Sequence, residues 1–108
     1  MTSRLAAGLL VAALIRRAQD AGGSGMVLAK GDATAGALLI QLAERGVPGP
    51  LLERRLDAQG DYRWSPTGPE ADGERGDYIA RRRRGDPDLW VIELDVADAM
   101  ALVEEVAG

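Results

Sequence analysis

Residues 89–94, with the sequence LWVIEL, most constrain what this chain can fold into. Trp90, Ile92 and Leu94 alternate with Leu89 and Val91. Successive side chains of a β-strand point to opposite faces, so both faces of this strand are apolar over most of their length. Such a strand is typical of the interior of a sheet that is covered on both faces. We therefore expect a central strand here.

The rest of the chain divides into segments with helical spacing and short runs of strand length. Helices are predicted at residues 4–20, at residues 70 or 72 to 84, and after residue 95 or 98. Ser3 can cap the first helix, and Asp95 or Asp98 can cap the last one. Strands are predicted at residues 26–30, 37–43 and 51–57, with a short fourth at 62–64.

The connections between the strands favour antiparallel pairing. Residues 31–36 have the composition of a hairpin loop between the first two strands, and residues 46–50 form the next turn. Strand 51–57 is polar on about half of its positions, which is typical of an edge strand. The order α-β-β-β-(β)-α-β-α thus predicts an α+β fold. We expect one domain over residues 1–108, with a mainly antiparallel sheet of four to five strands packed against two or three helices.

Composition excludes several classes of chemistry. The chain has no His and no Cys, which rules out a Ser-His-Asp triad, a Cys-His dyad and ordinary zinc sites. We expect no cofactor and no bound metal. The net charge of −4 argues against a general polyanion binder. The apolar run from residue 5 to residue 15 resembles the core of a signal peptide, but Arg16 and Arg17 follow it directly, which favours a buried helix and a cytoplasmic protein without a membrane partner.

The run Arg81, Arg82, Arg83 and Arg84 raises the question of a basic binding patch. Successive helical residues lie about 100° apart, so these four side chains sweep roughly 300° around the axis and cannot all face one partner. Cations in a last turn also meet the negative end of the helix dipole. We expect Gly85 to end the helix in a left-handed conformation, and Asp86 and Asp88 to neutralise the run in part. The alternative is anion or nucleic-acid binding, if Arg16 and Arg17 lie beside the run.

Carboxylates are the remaining candidates for catalysis. Glu53, Asp57 and Asp61 lie near one another along the chain and could act as acids and bases or hold magnesium. The solvent-exposed face of a sheet has the same pattern of alternating charged residues, and it is the favoured interpretation. Glu93 interrupts the central strand, and we expect it to pair with a cation such as Arg54 or Arg63.

Four groups of residues together resemble a known family. They are residues 13–19 (ALIRRAQ), Lys30-Gly31-Asp32 with Gly36-Ala37-Leu38-Leu39, Trp64 with Thr67-Gly68-Pro69, and residues 88–95 (DLWVIELD). In combination they are similar to the bacterial domain of unknown function 1491 family, over nearly the whole chain. The resemblance implies a small, freestanding bacterial protein, and it implies no activity and no functional residue.

Three functions stay open from the sequence. We favour a non-enzymatic binding module that associates with itself or with another protein, with strand 51–57 pairing to a second copy. Nucleic-acid or anion binding through Arg16, Arg17 and the run at 81–84 is the second hypothesis. A carboxylate-dependent enzyme is the third.

Overall fold

The computed structural model describes residues 5–108 and confirms the predicted α+β class and order. Helix α1 spans Ala7–Asp20, α2 spans Asp72–Gly85 and α3 spans Ala99–Ala107. The strands are β1 (Ser24–Ala29), β2 (Leu38–Glu44), β3 (Val47–Leu56), β4 (Tyr62–Thr67) and β5 (Trp90–Asp95). The predicted cap Ser3 lies outside the described residues.

The five strands form one sheet in the order β1-β5-β2-β3-β4. The β5 strand lies inside the sheet, antiparallel to β1 and parallel to β2, as its two apolar faces predict. The predicted hairpin of β1 with β2 is wrong, because β5 is inserted between them. A strand that is apolar on both faces gains most from two neighbours, and it displaces the pairing that local sequence suggested.

The predicted edge position of β3 is also wrong, since β3 pairs with β2 on one side and with β4 on the other. Its half-polar pattern has another cause, which is a polar contact with α2 described below. The turn before β3 is shorter than predicted. It consists of Arg45 and Gly46, both with positive φ, and residues 47–50 belong to the strand.

The carboxylate of Asp95 accepts the backbone N–H groups of Arg45 and Gly46, each at 2.8 Å. This side chain therefore stabilises the turn between β2 and β3 and is not a cap of α3. Asp98 occupies the N-cap position of α3, but its side chain makes no capping hydrogen bond. The prediction that one of these two carboxylates caps the last helix is wrong for that reason.

Helices cover both faces of the sheet. Helices α1 and α3 pack on the face that carries Trp90, Ile92 and Leu94, and this side contains the larger core. Helix α2 covers the other face, where the buried sheet residues are Leu39, Leu51, Leu89 and Val91. Both sets of β5 side chains are buried, as the alternation in residues 89–94 predicts.

The loop between β1 and β2 crosses the start of β5 and holds the first turn of α1. Trp90 donates its indole N–H to the carbonyl of Asp32 at 2.7 Å, and the Asp32 carboxylate accepts two amides of the same loop. The carbonyls of Ala33 and Thr34 accept the first amides of α1. Because α1 has no side-chain cap, these carbonyls satisfy donors that a cap would otherwise satisfy.

The close approach of this loop to β5 gives a first prediction. A Cβ atom on Gly36 would lie 2.2 Å from the carbonyl oxygen of Asp88, so the backbone must shift to accept a side chain. We expect Gly36→Ala to lower the free energy of unfolding by about 2 kcal/mol or more. Denaturant titration measures this quantity.

The matched control is Gly76→Ala in α2, where a Cβ atom would meet nothing within 4 Å. Alanine favours the helical conformation over glycine, so this variant should be more stable by roughly 0.5–1 kcal/mol. Equal unfolding midpoints for the two variants would contradict the close packing of the loop.

Candidate functional site

The arginine run at the end of α2 spreads its side chains in different directions. Arg82 faces the sheet and donates to the Glu53 carboxylate from both terminal guanidinium nitrogens, Nη1 at 2.7 Å and Nη2. Arg81 lies over the ring of Tyr78, 5.7 Å from its centroid. Arg83 donates to the carbonyl of Lys30, and Arg84 is exposed. Arg82 also lies over the Tyr78 ring, 5.8 Å from its centroid, so Arg81 and Arg82 share one neighbour while Arg83 and Arg84 have other surroundings. The four side chains thus do not face one partner, as helical geometry predicts.

Two finer expectations about the run are wrong. Gly85 belongs to α2 and its φ is not positive. Within residues 5–108, neither Asp86 nor Asp88 forms an ion pair with the run, and Asp86 instead accepts the amide of Asp88. Among the described residues, the acid that forms an ion pair with the run is Glu53, which binds Arg82 and lies 29 residues before it.

A polar network joins α2 to the sheet around this ion pair. Arg82 also donates to the Tyr78 hydroxyl, which contacts the Thr67 hydroxyl at 3.2 Å. Arg55 donates to the same Thr67 oxygen at 2.8 Å. The hydrogen bond from Arg82 lowers the pKa of Glu53 despite the burial of that carboxylate. The network fixes α2 against β3 and β4 and explains why β3 is half polar.

The structure does not bring Arg16 and Arg17 to the run at 81–84. Helix α1 and helix α2 lie on opposite faces of the sheet. Helix α1 ends shortly before the first residue of β1, whereas the run contacts Lys30, which follows the last residue of β1. The two basic groups therefore lie at opposite ends of this strand. Arg17 pairs instead with Glu105 of α3 at 3.2 Å. Nucleic-acid or anion binding through both groups therefore needs two separate surfaces, and it stays a prediction.

The three carboxylates singled out in the sequence do not share a site. Glu53 lies under α2. The Asp57 carboxylate accepts the backbone amides of Gln59 and Asp61 and the Nε–H of Arg63, which closes the hairpin between β3 and β4. These hydrogen bonds lower the pKa of Asp57, and the bond from the Asp61 amide has the largest effect. Asp61 is exposed, and residues 5–108 contain no cluster of three carboxylates that could hold a metal ion.

Glu93 does not have the partner expected from the sequence. Arg63 is bound to Asp57, and Arg54 projects from β3 toward the face covered by α1 and α3, away from Glu93. No ion pair of the described residues includes Glu93, which is only partly buried. The expected pairing is therefore wrong, because partial exposure leaves this carboxylate in water.

The two edge strands differ in character. Strand β4 carries Arg63 and Pro66, which are the kinds of residue that discourage pairing with another chain. Strand β1 has the sequence SGMVLA and carries no charge. Met26, Val27 and Leu28 in it are 53%, 43% and 48% exposed. The unprotected edge of the sheet is thus β1.

A cavity of about 900 Å³ opens on the face of the sheet that α1 and α3 cover, near β3 and β4. Its walls come from the first turn of α1, the loop before β2, the end of α3, and strands β3 and β4, with Arg54 and Trp64 among the lining side chains. No motif in the sequence indicates this cavity, because its walls come from separate segments. The sequence singles out Arg54 only as a partner of Glu93.

The chain is similar to known proteins over nearly its whole length. A family model described as protein of unknown function (DUF1491) matches residues 5–104. A crystal structure of a DUF1491 family protein from Caulobacter crescentus is 34% identical, with 92% of this chain and 94% of that chain covered and a TM-score of 0.78. An NMR structure of a DUF1491 family protein from the same organism is 34% identical, with 94% of each chain covered and a TM-score of 0.76.

A third solved structure, from A. tumefaciens, is 30% identical, with 89% of each chain covered and a TM-score of 0.70. None of the curated proteins compared with the chain matches it. Among residues 5–108, every helix is too short or too polar to cross a bilayer.

The ion pair of Glu53 with Arg82 gives a second prediction. Because the folded state lowers the pKa of Glu53 below its ordinary value of 4.5, the unfolded state binds more protons as the pH falls past that value. The pair therefore stabilises the fold above pH 4.5, and this contribution is lost as the pH falls through the lower pKa of the folded state. We expect Glu53→Gln to lower the free energy of unfolding by about 1–3 kcal/mol at neutral pH, and by less in acid.

Denaturant titrations of the wild-type protein and of Glu53→Gln, at neutral pH and below pH 4.5, measure the difference in their free energies of unfolding. Glu105→Gln is the matched control, because it removes an ion pair whose two side chains are 40% and 61% exposed, and it should cost less than about 1 kcal/mol. A difference for Glu53→Gln that does not change with pH would contradict the ionic role of the carboxylate.

Proposed function

The chain belongs to the DUF1491 family of proteins of unknown function, and we propose that it is a non-enzymatic interaction module that self-associates through the edge of β1. The observation that carries the proposal is the run of three exposed apolar residues, Met26, Val27 and Leu28, on an uncharged edge strand. An edge strand presents unpaired N–H and C=O groups that another strand can bind.

A second copy fits this edge because the strand is compatible with itself. Two β1 strands related by a two-fold axis pair antiparallel, and the same residues are then contributed by both copies. No like charges meet within the strand, whose six residues are all uncharged. The sheet would continue from one copy into the next, and Met26 and Val27 would each gain cross-strand apolar neighbours from the partner.

The irregular part of β1 limits where the copies pair. The register of β1 against β5 shifts between Val27 and Ala29, and a bulge of this kind disrupts regular pairing locally. Residues 24–27 precede the shift and pair regularly with β5. We therefore place the contact between the copies on the first four residues of the strand.

Replacement of Val27 by lysine tests the proposal. A lysine on each copy places two positive charges at the shared edge and interrupts its apolar surface. We expect the wild-type protein to sediment at twice its monomer mass of 11.4 kDa, and Val27→Lys to sediment as a monomer at the same concentration.

The matched control is Val47→Lys, since Val47 is 67% exposed and lies in β3, away from β1. This variant should keep the mass of the wild-type protein. A wild-type protein that stays monomeric at millimolar concentration, or equal dissociation by both lysines, would rule out the β1 contact.

A further inference from the structure

The cavity between α1, α3 and the ends of β3 and β4 has the features of a small-molecule site. Its volume of about 900 Å³ lies in the range of known ligand pockets, which are mostly apolar with a few polar groups. Leu10, Leu38 and Val106 contribute apolar walls, and Trp64 contributes the largest side chain. Thr34, Glu53, Arg54 and Tyr62 are the polar residues of the lining.

Arg54 and Glu53 are the charged residues of the lining, and Arg54 is the one without an ion-pair partner among residues 5–108, because the Glu53 carboxylate binds Arg82. The Nε atom of Arg54 is buried and has no hydrogen-bond partner among the residues that the structure describes. Its guanidinium group lies over the ring of Tyr62, 5.8 Å from the centroid. Within residues 5–108, none of the ion pairs includes Arg54. A cation that is partly removed from water without an anion is unfavourable, and an incoming anion would relieve that cost.

The two residues that flank Arg54 in β3 both have polar partners, in contrast to Arg54. Glu53 and Arg55 project to the opposite face, because side chains alternate along a strand. There Glu53 binds Arg82, and Arg55 binds Thr67. The acid next to Arg54 in sequence is therefore held on the other side of the sheet and is not available to it.

We propose that this cavity binds a small amphipathic carboxylate, with the carboxylate on the Arg54 guanidinium and the apolar body among Leu10, Leu38, Trp64 and Val106. A guanidinium group matches a carboxylate in two parallel hydrogen bonds, which makes it more specific for this head group than for a neutral one. The apolar walls favour a hydrocarbon chain or an aromatic ring over a polar metabolite.

Trp64 contributes an apolar wall and not a hydrogen bond to the ligand. Its indole N–H is already donated to the carbonyl of Ala107 at 3.1 Å. That bond fixes the ring between β4 and the end of α3, so the ring is positioned before a ligand arrives. A rigid wall reduces the entropy lost on binding.

Octanoate is a suitable probe, and octanamide is its neutral counterpart with the same chain. We expect octanoate to bind the wild-type protein with one site per chain in calorimetry, and to shift the indole N–H signal of Trp64 in NMR spectra more than that of Trp90. Octanamide should bind at least about tenfold more weakly, because it lacks the charge that Arg54 selects.

Arg54→Gln should lower the affinity for octanoate by about tenfold or more and should abolish the preference for octanoate over octanamide. The matched control is Arg55→Gln, one residue along the same strand on the opposite face, and it should leave octanoate binding unchanged. Circular dichroism verifies that both variants are folded.

Three results would overturn the proposal: no binding of octanoate by the wild-type protein at millimolar concentration, equal affinity for octanoate and octanamide, or equal loss of affinity in the two variants. The comparison of the two probes uses only the wild-type protein, so it stands even if Arg54→Gln does not fold. The cavity lies beside β3 and β4, away from the β1 edge, so its test is independent of self-association.

Discussion

The rest of the structure depends on one constraint, which is that β5 must be covered on both faces and paired on both sides. Its alternating side chains are buried by α1 and α3 on one face and by α2 on the other. To satisfy this strand, β1 and β2 separate and β5 enters between them. The chain then has to cross the start of β5 between β1 and β2. That crossing forms the loop that caps α1 and one wall of the cavity.

The fold class could be predicted from the sequence because it follows from local patterns. Alternation in residues 89–94 predicts a covered strand, and helical spacing predicts α2 within one residue of its end. The strand order could not be predicted in the same way. Nothing in residues 26–43 indicates that a strand some fifty residues later will displace the hairpin, because pairing between distant strands depends on how the whole sheet buries its apolar surface.

The candidate sites show the same limit. The divergence of the arginine run follows from helical geometry alone, so it could be predicted. Its acidic partner could not, since Asp86 and Asp88 are close in sequence while Glu53 is close only in the fold. The cavity was also beyond prediction, because Arg54 lacks an acidic partner among residues 5–108 only when the Glu53 carboxylate is held on the opposite face.

The register of β3 therefore decides what both faces of the sheet carry, because Glu53 and Arg55 point to one face and Arg54 to the other. The pairing of Glu53 with Leu39 and of Arg54 with Trp64 sets which side chain faces which helix. A shift of one residue would turn both Glu53 and Arg55 toward the cavity and place Arg54 on the face of Arg82, where like charges repel. The ion pair that fixes α2 thus also favours the register in which Arg54 lines the cavity. One interaction on the α2 face consequently helps to set which charged side chain of β3 lines the cavity on the other.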